Sequence, residues 1–137
     1  MILLDTCVIS EAMRPQPDRK VLAWLDSVPE HSVYLPALVA GELQKGIQLL
    51  EDGQKRQALQ LWFEQLRVRF AGRSIGIDEQ TGLIWGELSA RLQGTGHSLP
   101  VTDGLLAACA IRHGAILATR NTADFQATGI HLLNPWD

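Results

Sequence analysis

The amino-acid sequence predicts a single α/β domain, a mostly parallel sheet of four or five strands flanked by helices. Two observations predict this class. Short aliphatic runs alternate along the chain with longer stretches of helical periodicity, as in α/β folds. The 137 residues, with 46% hydrophobic content, are also enough to bury one core. No repeat, low-complexity tract or linker divides residues 1–137, so we expect one domain.

The strands are predicted where short apolar runs are bounded by polar residues or by turn residues. Each run is too short for a helix and is rich in Ile, Leu or Val. Because helical segments separate them, these strands should pair in parallel and be covered on both faces. The predicted strands are residues 2–5 (ILLD), 32–36 (SVYLP), 73–77 (RSIGI), 115–119 (AILAT) and 130–133 (IHLL).

The helices are predicted from apolar residues at three- and four-residue spacing. The five long segments are residues 18–28, 36–52, 54–70, 78–93 and 102–113. The second of these carries its apolar residues in a single stripe. That stripe consists of Val39, Leu43, Ile47 and Leu50.

Proline and glycine mark two helix ends. A short first helix after Asp5 should end before Pro15 and Pro17, because proline disrupts a helix interior. Gly114 is placed to terminate the last long helix as a C-cap.

Several acidic residues fall at the predicted carboxyl edge of the sheet, where open α/β sheets form their binding sites. Asp5 ends the first strand, and Asp124 lies in the loop after the strand that ends at Thr119. Asp103 begins a helix. Glu42 lies in the helix after the second strand, beside its apolar stripe. We therefore expect these four carboxylates to share one site.

Such a cluster needs a compensating charge. At about 4 Å and an effective dielectric near 20, each pair of carboxylates costs roughly 4 kcal/mol. The chain has only three lysines, and only Lys45 shares a helix with one of the acids. Oxygen ligands without histidine or thiol support favour Mg²⁺, with Mn²⁺ as an alternative. A water on such a cation can attack a phosphodiester, so the residues indicate metal-dependent phosphodiester hydrolysis.

Four segments of the chain resemble the motifs of PIN-domain ribonucleases. They are DTCVIS, LPALVAGELQKG, VTDGLLAACA and ATRNTADF, and their order and spacing cover nearly the whole sequence. Within that family the chain is most similar to the VapC/FitB toxins of bacterial toxin-antitoxin pairs, including its closing NPW. The resemblance implies an Mg²⁺-dependent endoribonuclease that is toxic alone. It also implies an RNA substrate, a homodimer and a cognate antitoxin.

The same resemblance assigns roles to individual residues. The catalytic acids would be Asp5, Glu42, Asp103 and Asp124, of which all but Glu42 would be metal ligands. The supporting hydroxyl and amide groups would be Thr6, Ser10, Thr119 and Asn121. Arg120 is a candidate phosphate contact, although an ordinary surface role is an equal alternative.

Two positions depart from the family pattern. Cys7 stands where the family usually has asparagine, so one polar contact to the site is missing or supplied otherwise. Asn121 stands where some relatives have an acid, which leaves Asp124 as the available fourth carboxylate.

Simpler structural roles exist for the same acids. Asp5 could accept hydrogen bonds from the amides of the next helix, and Asp103 could serve a helix N-terminus. Asp124 could cap the turn TADF, and Glu42 could be a solvated helix residue. The four tryptophans are expected to be core or interface anchors.

Other protein classes fit less well. A phosphoacceptor receiver domain needs a lysine after a late strand, but none follows Lys55. A haloacid-dehalogenase-type phosphatase needs a second aspartate at position 7, which is cysteine here. A catalytically weak PIN-fold binding module and another metal-dependent phosphatase remain as alternatives.

Charge and composition indicate the affinity for RNA, the role of the cysteines and the cellular location. The chain has 12 Lys and Arg against 15 Asp and Glu, so without the four proposed site acids it would carry a surplus of one positive charge. We therefore expect weak nonspecific affinity for RNA. Cys7 and Cys109 lack zinc-site spacing and are expected to be packing residues. No signal peptide or membrane-length apolar run is present, so a cytoplasmic location is expected.

Overall fold

A computed structural model describes all residues 1–137 and shows a five-stranded, wholly parallel sheet with the order β3-β2-β1-β4-β5. The strands are β1 (Ile2–Leu4), β2 (Val33–Pro36), β3 (Ser74–Ile75), β4 (Ile116–Ala118) and β5 (His131–Leu133). All five predicted strands are confirmed, each with one to three residues fewer than expected.

Seven α-helices connect and cover the strands. They are α1 (Thr6–Glu11), α2 (Arg19–Ser27), α3 (Ala37–Gln48), α4 (Gln54–Arg69), α5 (Glu79–Gly94), α6 (Val101–His113) and α7 (Thr122–Phe125). Short 3₁₀ turns occupy Glu30–Ser32 and Gln126–Thr128. Helix α7 and these two turns were not predicted, because three or four residues are too few to show a helical period.

The predicted helix over residues 36–52 extends too far. It ends at Gln48, where the amides of Leu49 and Leu50 bond to the carbonyls of Lys45 and Ile47 in a tightened last turn. Leu50 therefore lies outside the helix, and Leu49 is 75% exposed. The rest of the predicted stripe is buried in the core.

The core lies on both faces of the sheet and is mainly aliphatic. Leu3, Leu117 and Cys109 are fully buried in it, so the expected packing role of Cys109 is confirmed. Three of the four tryptophans, Trp24, Trp62 and Trp136, are half-buried against this core. None of the seven helices combines the length and the apolar character that a membrane span requires.

Register at the centre of the sheet brings the first two polar residues of the site together. Leu4 of β1 pairs with Ala118 of β4, so the next residues, Asp5 and Thr119, leave the sheet side by side. The amide of Asp5 continues the ladder by donating to the Ala118 carbonyl at 3.0 Å. Two parallel strands thus deliver a carboxylate and a hydroxyl to one point.

Close packing of α5 on α6 depends on Gly104, the residue after Asp103. A Cβ on Gly104 would lie 2.9 Å from Nε1 of Trp85 and 3.1 Å from its Cδ1. We expect Gly104→Ala to lower the free energy of unfolding by about 1–2 kcal/mol, because overpacking outweighs the better helix propensity of alanine. Urea unfolding measures this.

Gly86→Ala is the matched control, since nothing lies within 4 Å of a Cβ at that position in α5. It should leave stability unchanged or raise it by up to about 1 kcal/mol. Equal stability of the two variants would contradict the packing argument.

Candidate active site

Asp5 is the buried centre of the site and is only 8% exposed. Its Oδ1 accepts a hydrogen bond from the amide of Thr6 at 2.7 Å, which caps α1. Its Oδ2 accepts a hydrogen bond from the hydroxyl of Thr119, also at 2.7 Å. The structural alternative for Asp5 is thus confirmed as far as the cap is concerned. Each carboxylate oxygen keeps a second lone pair, so capping does not preclude ligation.

Thr119 and Cys7 link Asp5 to the loop after β4. The Thr119 hydroxyl is fully buried and accepts the amide of Asn121 at 3.1 Å while it donates to Asp5. The sulfur of Cys7 lies 3.8 Å from both Asp5 Oδ2 and Thr119 Oγ1. It also accepts a hydrogen bond from the amide of Arg120 at 3.5 Å. Cys7 packs against the core, as expected, and is in addition a contact residue of the site.

Glu42 extends from the middle of α3 toward these residues. Partial burial raises the pKa of its carboxyl group, and the negative charges of Asp5 and Asp103 raise it further. The Thr6 hydroxyl and Lys45 act in the opposite direction. Glu42 is exposed, but because the charges of two other carboxylates raise its pKa, it lies within interaction distance of both.

Asp103 completes the link to Asp124. It lies half-buried in the first turn of α6, and burial raises its pKa above the usual range. The charges of Asp5 and Asp124 raise this pKa further. The four predicted acids thus lie close enough to influence one another, from four separate parts of the chain.

The side chains of this cluster do not converge on one point. No group of three or more acidic, histidine or cysteine side chains is arranged to hold a metal ion. The cluster nevertheless fits a hard cation, because the acids supply only oxygen ligands and carry unneutralised charge. The hydroxyl oxygen of Thr6 is also buried beside them; it lies near enough to Glu42 to lower the pKa of that carboxyl group, but it forms no hydrogen bond of normal geometry. A water or cation among the acids would give that hydroxyl its missing partner.

The other predicted supporting residues differ in whether their side chains form hydrogen bonds. Thr119 forms the predicted bond to Asp5, whereas the side chains of Ser10 and Asn121 form no hydrogen bond. Ser10 lies one turn after Thr6 in α1, and Asn121 occupies the N-cap position of α7 without a side-chain cap. Asp124 does not cap this turn, and it is exposed.

Trp136 was not predicted to be a neighbour of the site. The guanidinium of Arg120 lies over the ring of Trp136, 5.2 Å from its centroid. These residues are distant in the chain, so no local periodicity connects them. The only sequence signal was the closing NPW, which was recognised as a family feature without a contact partner.

The raised pKa values make the stability of the cation-free protein depend on pH. The folded state holds protons on Glu42 and Asp103 more tightly than the unfolded state does. The resulting stabilisation is full below the ordinary carboxyl pKa values and is lost as pH rises through the raised ones. At neutral pH in EDTA, Glu42→Gln/Asp103→Asn should melt about 1–3 °C above the wild type.

Thermal melts from pH 3.5 to 7.5 measure this difference, with Asp52→Asn in the exposed α3–α4 loop as control. The gap between the double variant and the wild type should close at the acidic end. A gap that is constant with pH would contradict the electrostatic cause.

Comparisons with known proteins agree with this fold. The family model for the PIN domain matches residues 2–130. The chain is 42% identical over 137 residues to the toxin FitB of Neisseria gonorrhoeae, covering 99% of each chain. It is 37% identical over 138 residues to the VapC ribonuclease Y4jK of Sinorhizobium fredii, covering 100% of this chain and 99% of the relative.

A solved structure is similar over the same length. The crystal structure of FitAcB from Neisseria gonorrhoeae superposes with a TM-score of 0.95 and 42% sequence identity, covering 99% of each chain. The five-stranded parallel sheet, the family match and these full-length relatives are consistent with one another. The chain belongs to the PIN domain family, in the group of FitB and the VapC ribonucleases.

Proposed function

We propose that the protein is an Mg²⁺-dependent endoribonuclease toxin that a cognate antitoxin holds inactive. The observation that carries the proposal is the cluster of four carboxylates around the buried Asp5, in which partial burial and then neighbouring charges raise the pKa of Glu42 and Asp103. Relatives of matching length named as a toxin and as a ribonuclease support it.

The proposed cation ligands are Asp5, Asp103 and Asp124, each of which presents hard oxygen atoms. Mg²⁺ is the expected ion, and Mn²⁺ would also suit this ligand set. When bound, the cation would supply a polarised water and would neutralise charge that develops on the phosphate. The tight bonds to Thr6 and Thr119 fix the orientation of Asp5 in advance of binding.

Glu42 is proposed to hold the attacking water and to accept a proton from it. Its raised pKa makes it a better base than an ordinary surface glutamate, because the proton is bound more tightly. The buried Thr6 hydroxyl beside Glu42 is placed to orient that water. Ser10 and Asn121 would join the network only after side-chain rearrangement, since neither side chain is hydrogen-bonded.

Two apolar surfaces suit protein partners. Between α2 and α4 lies a cavity of about 480 Å³ lined by Leu22, Leu25, Trp62 and Leu66, which would accommodate apolar side chains of an antitoxin. Leu49 and Val101 are 75% and 60% exposed and would be covered in the proposed homodimer. Light scattering on the purified protein tests the dimer.

Expression in bacterial cells tests the toxin role. Induction of the wild type is expected to arrest growth, because RNA cleavage in the cell would be unrestrained. Co-expression of the small gene product encoded beside it should restore growth. Glu42→Gln is expected to be harmless, and Glu87→Gln, an exposed acid of α5, to be as toxic as the wild type. Normal growth with abundant soluble wild-type protein would contradict the toxin role.

A further inference from the structure

Arg120 differs from most arginines of the chain in having all its side-chain donors free. Arg69 and Arg73 bind Glu30, and Arg112 pairs with Asp78. Arg120 is exposed, and its guanidinium forms neither a salt bridge nor a hydrogen bond. It makes a cation–π contact with the ring of Trp136. A guanidinium has five donors in a planar fork, and a face-on aromatic contact leaves them available.

Trp136 is itself fixed in place. Its amide donates to Oδ1 of Asn134 at 2.9 Å, and its side chain is half-buried against the core. Pro135 between them is buried and restricts the backbone. The ring is therefore held against the core, and the guanidinium of Arg120 lies over it.

The backbone of Arg120 is held at the carboxylate cluster. Its amide donates to the sulfur of Cys7 at 3.5 Å, and the preceding residue, Thr119, donates to Asp5 at 2.7 Å. Arg120 is thus fixed at both ends, by Cys7 at its backbone and by Trp136 at its guanidinium. An unpaired cation on the residue that follows Thr119 suits an anionic substrate, which the acids alone would repel.

We infer that Trp136 is a positioning residue that holds Arg120 ready to bind a phosphate of the RNA substrate. The inference rests on the proposed function for its choice of substrate. Trp136 acts through Arg120: stacking fixes the guanidinium plane and lowers the entropy lost when phosphate binds. Planar guanidinium and phosphate form paired, charge-assisted hydrogen bonds.

Binding of RNA without cleavage tests this inference. A fluorescently labelled single-stranded RNA is titrated in EDTA with protein that carries Asp5→Asn, and its anisotropy is followed at several salt concentrations. In this background Arg120→Ala should weaken binding about three- to tenfold and reduce the slope of log K against log salt by about 0.7. Trp136→Leu should weaken binding about two- to fivefold.

A double-mutant cycle shows whether Trp136 acts through Arg120. Once Arg120→Ala is present, adding Trp136→Leu should weaken binding no further, since no guanidinium remains to be positioned. Trp136→Phe keeps an aromatic face and should retain most of the affinity. Additive losses, or wild-type affinity in Trp136→Leu, would overturn the inference.

The free protein gives a readout that does not depend on RNA. Ring-current shifts of the Arg120 Nε–H proton in NMR spectra should be present in the wild type and in Trp136→Phe but absent in Trp136→Leu. Arg120→Lys keeps the charge without the planar fork, so it should keep the salt slope and lose affinity. An Arg120 signal unaffected by Trp136→Leu would overturn the inference.

Failure of the proposed function appears in a different measurement. If wild-type protein with Mg²⁺ cleaves RNA normally while the binding variants show no effect, the inference alone fails. If wild-type protein cleaves no RNA, the proposed function fails, whereas loss of RNA binding in Arg120→Ala and Trp136→Leu would still support the stacked pair as a phosphate contact.

Discussion

Asp5→Asn is expected to lower Mg²⁺-dependent RNA cleavage by about 10³-fold, equivalent to roughly 4 kcal/mol of lost transition-state stabilisation. Asp5 is the buried member of the cluster and the one whose charge raises the pKa of both Glu42 and Asp103. Asparagine keeps the shape and can still accept the Thr6 amide, so the helix cap survives. The loss should therefore appear in kcat with little change in fold.

Initial rates on a labelled structured RNA, with and without EDTA, measure this effect. Asp52→Asn removes one exposed acid of the α3–α4 loop and should cleave at the wild-type rate. Circular dichroism melts establish that both variants are folded. Equal cleavage by Asp5→Asn and the wild type would show that the activity arises elsewhere.

Thr119→Val is expected to lower cleavage about 10- to 100-fold, as loss of a supporting hydrogen bond to a metal ligand does. The fully buried Thr119 hydroxyl is the strongest contact that orients Asp5 Oδ2, at 2.7 Å. It also accepts the amide of Asn121, so valine leaves that donor unpaired at a cost of about 1–3 kcal/mol in stability.

Two control variants separate orientation from stability. Thr119→Ser keeps the hydroxyl and should retain most of the activity. Thr128→Val removes another buried hydroxyl, which bonds to the Phe125 carbonyl instead of an acid, and should reduce stability without changing kcat. Matching activity of Thr119→Val and Thr119→Ser would mean that Thr119 does not orient Asp5.

The sheet and the position of the site followed from simple periodicity. Five aliphatic runs separated by helical segments require crossover connections, and these make the strands parallel. Parallel strands end at a common edge, which is why Asp5 and Thr119 could be placed together before the register of Leu4 with Ala118 was known. Asp103 and Asp124 were placed at that edge by the same rule, whereas Glu42 was placed by its position beside the apolar stripe of its helix.

Sequence patterns did not predict the contacts between residues that are distant in the chain. Nothing local relates Cys7 to Arg120 or Arg120 to Trp136, because the folded chain alone brings them together. The end of α3 was misplaced because Leu50 continues the apolar spacing although the last turn has already tightened. Periodicity shows which face is apolar but not where hydrogen bonding stops.

The balance of structural and chemical roles at Asp5 also needed the structure. The sequence leaves helix capping and metal ligation as alternative roles for Asp5. In the structure its Oδ1 caps α1 while its Oδ2 is oriented by Thr119. The pKa shifts of Glu42 and Asp103 depend on burial and on distances between segments, which no spacing in the sequence reports.

Cation binding is the most direct test of the carboxylate cluster as a metal site. Electron paramagnetic resonance counts free Mn²⁺ during titration of the purified protein. We expect wild-type protein and Asp52→Asn to bind Mn²⁺ and to release it to Mg²⁺, while Asp5→Asn and Asp103→Asn bind at least about tenfold more weakly. Equal Mn²⁺ affinity in all four proteins would contradict a cation site centred on Asp5.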